Sequence, residues 1–462
     1  LELTQLLHGL DLQKTVSTEF SALSPQSWPF SLDWLPQSAF LVGGSVRDAL
    51  LGRHSEYLDL DFVVPDGVVE TARAIARHYK AGFVLLDAER QIARVVFAQG
   101  TADFAQQVGS SLESDLWRRD FTVNAIAYNP QCDRFVDPLQ GCADIEKRLI
   151  RMVSAENLAE DPLRLLRAYR QAAQLGFSLE PETQAVICSL AGSLRQIAAE
   201  RVQSELNYLL STEKGTPWLT QAWTDGVLQD WLPAATEASF QFIAAIDRAT
   251  VLLQETQPAF AKGLCSHNRS IASWPLNSLP GPQSDATKAS GSARNWLITA
   301  KLACLMPSDP TAAELQLRRL KYSRTEIHSV STVLRYLPQL CAPIAHPGEC
   351  EPDLSLSLRD QYFFYQGVGV VFPAVAVMAI AHGVSLEAIA PLIARFLDPT
   401  DPVAHAVPLV TGQDLMAHLN IPAGPMIGKL LAAIQLARAE SHILTPDDAI
   451  QLAARLIREI KV

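Results

Sequence analysis

The chain has 462 residues, a formal net charge of −11, 48% hydrophobic and 19% charged residues, a composition ordinary for a soluble globular protein and on the apolar side. That length exceeds one ordinary core and predicts about two to four domains. The acidic balance excludes a chain that coats nucleic acid over its whole surface, so any RNA contact needs a local basic patch. Seven cysteines, an odd number without a C-x-x-C pair, predict a reduced, cytoplasmic protein. Cys265 and His267 lack a second pair of ligands and are not read as a metal site. No signal peptide is read at the start, and with Leu1 as the first residue the natural N-terminus is left open.

Residues 1–38 read as an N-terminal extension or a helix packed on the domain after it, with a loop-like SALSPQSWPF and a return to LDWLP. The most informative stretch comes next, FLVGGSVRDALLGRHSEYLDLDFVV at 40–64. An apolar run ends in Gly43 and Gly44, followed by Ser45, Arg47 and Asp48. This order predicts a strand, a glycine turn and a helix whose N-terminal N–H groups face an anion such as a triphosphate. Asp59 and Asp61 stand two apart on a second predicted strand, where alternate residues share a face. Two carboxylates beside a phosphate cradle make a hard oxygen site suited to magnesium. A glycine pair alone is a turn, and Asp-x-Asp alone is a solvated strand face. Their joint appearance carries the reading.

Helical spacing runs through VVETARAIARHYKA, and predicted strands at 83–87, 93–98 and 101–107 complete a small mixed sheet, with Asp103 in the last. SLESDLWRRDFTVNAIAYNP at 111–130, including FTVNAIAY, reads as a helix on that sheet, broken at Arg118, Arg119 and Asp120. Two arginines and an aspartate facing a phosphate site suit triphosphate oxygens and ribose hydroxyls. Residues 135–153 resemble the linker of a known enzyme family, with Asp137, Pro138 and Gly141 holding the junction. EDPLRLLRAYRQAAQLGF then predicts a helix with Asp161 as N-cap and Pro162 near its start. Arg164, Arg167 and Arg170 follow along one side, which alone would be a solvated basic face.

Residues 216–340 read as mainly helical, interrupted at 266–292 by a Ser-, Pro-, Asn- and Gly-rich flexible insert. Arg318, Arg319, Lys321 and Arg324 make either an RNA-backbone patch or a solvated helix face. GVGVVFPAVAVMAIAH at 367–382 is short for a membrane span and carries Pro373, so a buried core helix and no membrane partner are expected. In IPAGPMIGKLL, a turn puts Gly424, Pro425 and Gly428 before a helix carrying Lys429, a site for RNA phosphate. No HD metal motif is present, so no phosphohydrolase activity is expected.

In this order GGSVRD with DLD, RRDFTVNA, EDPLR and AAERVQSELNYLL (198–210) resemble the class II tRNA nucleotidyltransferase (CCA-adding enzyme) and bacterial poly(A) polymerase family, over about residues 40–210. The resemblance implies an α+β chain with a small mixed-sheet nucleotidyltransferase head at 39–153 after the 1–38 extension. All-helical neck, body and tail would follow at 154–215, 216–340 and 341–462. It implies transfer of CMP, with or without a final AMP, from CTP or ATP to the 3′ end of tRNA, with two Mg2+ ions and no nucleic-acid template.

By the same resemblance Asp59 and Asp61 hold the metal, and Asp103 helps complete the site as a third carboxylate. Gly43, Gly44 and Arg47 would cradle the phosphates, Arg119 would contact the incoming nucleotide, and Asp120 and Asn124 would shape its sugar pocket. Asp161 and Arg164 would present a carboxylate and a guanidinium to the base edge, with Arg167 and Arg170 stiffening that reader or touching phosphate. Arg318, Arg319, Lys321 and Lys429 would meet RNA backbone. Relatives that complete the whole CCA end carry a longer loop where this chain has QQVGSSLESDLW before Arg118, which leaves CC-only and full CCA addition both open. A poly(A) polymerase is an alternative, lowered because DAERQIARVVF lacks the GRR-type stretch of those enzymes. A non-catalytic tRNA-binding protein with a relict head is another, opposed by the intact motif residues.

Overall fold

The computed structural model describes residues 22–53, 55, 57–265, 295–341, 356–406 and 408–460; the insert read at 266–292 and His267 lie outside the described residues. The chain forms two compact units that divide between Trp231 and Leu232.

The first unit is built on a seven-stranded sheet, β1 (Phe40–Val42), β2 (Leu58–Val64), β3 (Gly82–Asp87), β4 (Ile92–Phe97), β5 (Gly100–Gln106), β6 (Ala127–Asn129) and β7 (Arg134–Val136), in the order β3-β4-β5-β2-β1-β6-β7. Only β2 and β5 run parallel; the other neighbours are antiparallel, so the sheet is mixed. Helix α1 (Gly44–Leu50) links β1 to β2, and α2 (Val68–Tyr79) crosses over from β2 towards β3.

Register decides what each face of the sheet carries. Leu60 and Phe62 lie opposite Ala102 and Phe104, and all four are buried at 1% exposure or less. The Phe62 and Phe104 rings stack at 5.3 Å, and Trp28 meets Phe62 edge-on at 5.2 Å. Phe30 stacks on Phe97 at 5.8 Å, so residues 22–38 cover this face as two short 3-10 turns with no long helix among them. Each such buried aromatic stabilises the fold by roughly 1.5–3 kcal/mol. The alternate residues of β2 and β5 face the other way: Asp59, Asp61, Thr101 and Asp103, followed by Val63 and Ala105.

FTVNAIAY departs from the helix expected of it. After α3 (Leu112–Leu116) the chain makes a single 3-10 turn at Thr122–Asn124, and Ala127 and Tyr128 then pair with Val42 and Leu41. The segment is buried on all sides, and full burial erases the helix-versus-strand periodicity on which the expectation rested. Phe135 and Val136, read as linker, close a hairpin back onto β6.

Helix α4 (Gly141–Lys147) leads to a two-stranded parallel ribbon, β8 (Leu149–Ile150) with β9 (Ser178–Leu179). Between and beyond them come α5 (Ala155–Glu160), α6 (Leu163–Leu175), α7 (Pro181–Leu190), α8 (Ala199–Ser211) and α9 (Gly215–Thr224), all in the first unit. Leu165, Leu166, Ala168, Tyr169 and Ala172 of α6 are fully buried, which leaves Arg164, Arg167 and Arg170 on a partly open side.

The second unit is helical among its described residues: α10 (Glu237–Thr256), α11 (Pro258–Cys265), α12 (Trp296–Cys304), α13 (Pro310–Arg319), α14 (Arg324–Cys341), α15 (Leu358–Val368), α16 (Phe372–Ala381) and α17 (Leu386–Leu397). The stretch Leu358–Ala381 is long and apolar enough to cross a membrane. Here a 3-10 turn at Gly369–Val371 breaks it, and every residue from Phe372 to Ala379 lies in the interior. Phe372 packs on Phe396 and Phe260 with ring centroids at 4.8 and 6.1 Å, so the segment is the core helix of the unit. A last trio, α18 (Gly412–Leu419), α19 (Pro425–Ala439) and α20 (Pro446–Ile460), shares a small core of Leu415, Leu430, Ile434, Ala449 and Ala453.

Candidate active site

Gly43 is the pivot of the site. Its φ of 75° and ψ of −139° turn the end of β1 into α1, a conformation that L side chains rarely adopt. A Cβ at this position would sit 3.4 Å from Arg119 Nη1 and 3.5 Å from Asp61 Oδ2. One glycine therefore brings the glycine turn, the Asp-x-Asp strand and the RRD segment to one point.

On the carboxylate face, Asp61 lies opposite Asp103, and Asp59 lies opposite Thr101. Thr101 Oγ1 donates a short hydrogen bond to Asp59 Oδ1. Asp103 is held by Arg94 from β4 through two bonds of 2.7 Å, so both of its oxygens are engaged. Asp61 is only partly open to solvent and closely surrounded by protein. Burial first, then the charges of Asp59 and Asp103, raise its pKa to about 7, while Arg119 and Arg94 pull the other way.

A buried carboxylate pushed up by like charges marks a cluster short of positive charge, which fits a divalent cation at Asp59 and Asp61. Among the described residues no three His, Cys, Asp or Glu side chains gather as a closed metal cage. Two carboxylates with a phosphate beside them are instead the pattern by which Mg2+ is held together with its substrate.

Arg119 is steadied from behind, where Asp115 Oδ2 accepts from its Nη2 at 3.2 Å. The other oxygen of Asp115 accepts from the Val108 N–H at 3.0 Å, so one aspartate fixes both Arg119 and the short connection at 107–111. Arg118 lies at the surface in an ion pair with Glu160. Arg47 leans on Asp48 and donates from Nη1 to Asn124 Oδ1 at 2.6 Å. Asn124 Nδ2 in turn donates to Asp120 and to Gln171.

Asp120 is buried and meets Arg167 of α6 through Nε at 3.0 Å and Nη2 at 2.8 Å. Burial opposes ionisation of Asp120, but Arg167 and the Asn124 and Phe121 N–H donors outweigh it and hold the carboxyl below its usual range. A continuous polar path thus runs from the glycine turn to α6: Arg47, Asn124, Asp120, Arg167.

The remaining residues of α6 are also engaged. Asp161 Oδ1 accepts from the Leu163 N–H at 3.3 Å, which caps the helix, while Pro162 occupies the position before its first residue. Both oxygens of Asp161 accept from Arg201 of α8 at 3.2 and 2.9 Å, a partner the spacing of EDPLR did not reveal. Arg164 Nη1 donates to the Asn157 carbonyl at 3.1 Å, and Asn157 Nδ2 donates to the Trp117 and Arg119 carbonyls. Asn157, which no motif marked, therefore ties the RRD segment to Arg164. Arg170 pairs with Glu205 and Gln174 and lies over the Tyr208 ring at 5.5 Å.

In the second unit Arg318, Arg319, Lys321 and Lys429 are all exposed, with Arg318 paired to Glu314. Arg94, Thr101, Asp115, Asn157, Gln171 and Arg201 escaped the sequence reading. All but Asp115, which stands four residues before its partner Arg119, act through a partner brought near by sheet register or helix packing rather than by spacing along the chain.

A Poly A polymerase head domain model matches residues 39–151. A "Probable RNA and SrmB-binding site of polymerase A" model matches 176–239, and a tRNA nucleotidyltransferase domain 2 model matches 292–454. A CC-adding tRNA nucleotidyltransferase of Synechocystis sp. is 45% identical over 93% of this chain and 96% of its own. An A-adding tRNA nucleotidyltransferase of Deinococcus radiodurans is 31% identical over 92% of this chain and 96% of its own. A solved CCA-adding enzyme complexed with CTP superposes with a TM-score of 0.66 at 20% identity, over 92% of this chain and 91% of the other, a likeness of fold. With its motif residues gathered around Gly43 and relatives matched along nearly their whole length, the chain belongs to the tRNA nucleotidyltransferase and poly(A) polymerase family and is a nucleotidyltransferase.

Proposed function

We propose that this enzyme adds the two cytidines of the CCA end to tRNA, using CTP and no nucleic-acid template. The observation that carries nucleotidyl transfer is the meeting of Asp61, Arg119 and the Gly43 turn within a few ångströms. The restriction to cytidine is supported by the short connection at 107–111, which Asp115 clamps at Val108. The name of the 45% identical relative supports it too. Cys132, Cys142, Cys188, Cys304 and Cys341 are free thiols, in keeping with a cytoplasmic enzyme.

Asp59 and Asp61 would hold Mg2+, two ions in all, which when bound activate the terminal 3′-hydroxyl and neutralise charge on the triphosphate. Asp103, oriented by Arg94 and opposite Asp61 in the sheet, would help complete the site as its third carboxylate. The backbone at Gly43 and Gly44 cradles the phosphates with Arg47, and Arg119 clamps them. Asn124 and Asp120 bound the sugar. Asp161 and Arg164 read the base edge, while Arg167 and Arg170, bound to Asp120 and Glu205, stiffen that helix. Arg318, Arg319, Lys321 and Lys429 meet the tRNA backbone.

The test is product length. With tRNA ending before the CCA, Mg2+ and labelled nucleotides singly and in pairs, CTP alone should extend the tRNA by two residues and ATP should add nothing further. Addition of a terminal A would overturn the CC-only reading. A run of A from ATP alone would restore the poly(A) reading.

The reader assignment has its own expected result. Asp161→Ala should lower the CTP over UTP preference in kcat/KM about tenfold, the scale of one lost base-edge contact. Binding of tRNA should hold. An unchanged nucleotide preference would return Asp161 to a capping residue paired with Arg201.

A further inference from the structure

The proposed roles seat the incoming nucleotide and leave the second substrate, the 3′ end being extended, without a seat. A cavity of about 290 Å³ opens onto Asp59 and Asp61 and is also lined by Arg47, Asp48, Arg53 and Tyr57. Arg119, Asn124, Asp161 and Arg164 are not among its lining residues. The cavity thus shares Asp59, Asp61, Gly44 and Arg47 with the nucleotide site, and extends past them to Arg53, Ser55 and Tyr57, which the nucleotide roles leave unused.

Tyr57 is 48% exposed, two residues before Asp59. Among the described residues of the first unit the other large exposed aromatics are Trp117, two residues before Arg119, and Tyr208, under Arg170. All three stand beside residues of the site, and aromatic faces next to guanidinium groups are how proteins hold unpaired nucleotides. Of the three, only Tyr57 lines the cavity.

The Tyr57 backbone is also held in place. Ser55 Oγ donates to the Tyr57 carbonyl at 2.7 Å and accepts from its N–H at 3.3 Å. Arg53 Nη2 donates to the Gln174 carbonyl of α6 at 2.8 Å, which pins the loop ahead of β2 to the helix that bears the reader.

We propose that Tyr57 stacks on the terminal base of the tRNA strand being extended and so seats its 3′-hydroxyl at Asp59 and Asp61, a role that rests on CMP transfer to tRNA as the reaction. The test uses a tRNA acceptor minihelix ending in 2-aminopurine, whose fluorescence is quenched by stacking, with the wild type, Tyr57→Ala and Tyr57→Phe. Binding should quench the probe with wild type and Tyr57→Phe but not with Tyr57→Ala. The alanine variant should also raise KM for tRNA about tenfold, the scale of one base–aromatic stack, with KM for CTP unchanged. Wild-type quenching and KM in Tyr57→Ala would overturn the stacking role alone. Failure of the wild type to bind or extend any tRNA would instead sink the functional reading, and this proposal with it.

Discussion

Replacing Asp59 and Asp61 together by alanine should cut CMP incorporation into tRNA by about 10³-fold or more. Thermal stability should stay level or rise. The two effects separate because these carboxylates hold little of the fold together. Their face of β2 gains one hydrogen bond from Thr101, and against it stand the burial of Asp61 and repulsion among Asp59, Asp61 and Asp103. The neighbouring Leu60 and Phe62, which do the packing, point to the opposite face and are untouched. Incorporation of labelled CMP, read beside a melting curve, tests both halves. Retained incorporation would remove Asp59 and Asp61 from the chemistry. A collapse of the melting temperature would mean that the carboxylates carry structure after all.

Much of this site was legible because its parts are local. The glycine turn and Asp-x-Asp strand lie within one strand–helix–strand passage, where periods of 3.6 and 2 residues announce which groups share a face. The expected strands at 83–87, 93–98 and 101–107 fall within a residue or so of β3, β4 and β5. Reading stopped short where a partner comes from far along the chain. FTVNAIAY became turn and strand because β1 was there to pair with it. Asp161, read as facing a base, holds Arg201 forty residues on. Asp103, read as a third metal carboxylate, shares the right face but is gripped by Arg94, a pairing that only the β4–β5 register discloses. Residues 22–38 look like a loop in sequence, since Trp28 and Phe30 have no periodic neighbours, yet they roof the core face of the sheet.

Asp120 is where catalysis and stability should prove hardest to separate. Its Oδ1 accepts from the Phe121 N–H and Asn124, and its Oδ2 accepts from Arg167, with Gln171 at the limit of bonding distance. Asp120→Ala strands Arg167 and loosens Asn124, and breaking a buried pair from one side costs about 3–5 kcal/mol. The lower end, about 3 kcal/mol, is expected here because the Arg167 side chain keeps 36% of its surface in water. Asp120→Asn keeps the shape and should lose less.

The pH dependence fixes the sign. A carboxyl held below its unfolded value of about 3.9 contributes stability that is fully present above that pH. The contribution drains away as pH falls through the lower folded value. Urea unfolding from pH 7 down to pH 3 should therefore show wild type and Asp120→Asn converging towards acid. If wild type and Asp120→Ala unfold at the same urea concentration at pH 7, the Asp120–Arg167 contact is not what joins the sheet to α6. Arg47 would then be positioned by Asp48 and by Asn124 held on Gln171, without help from Asp120.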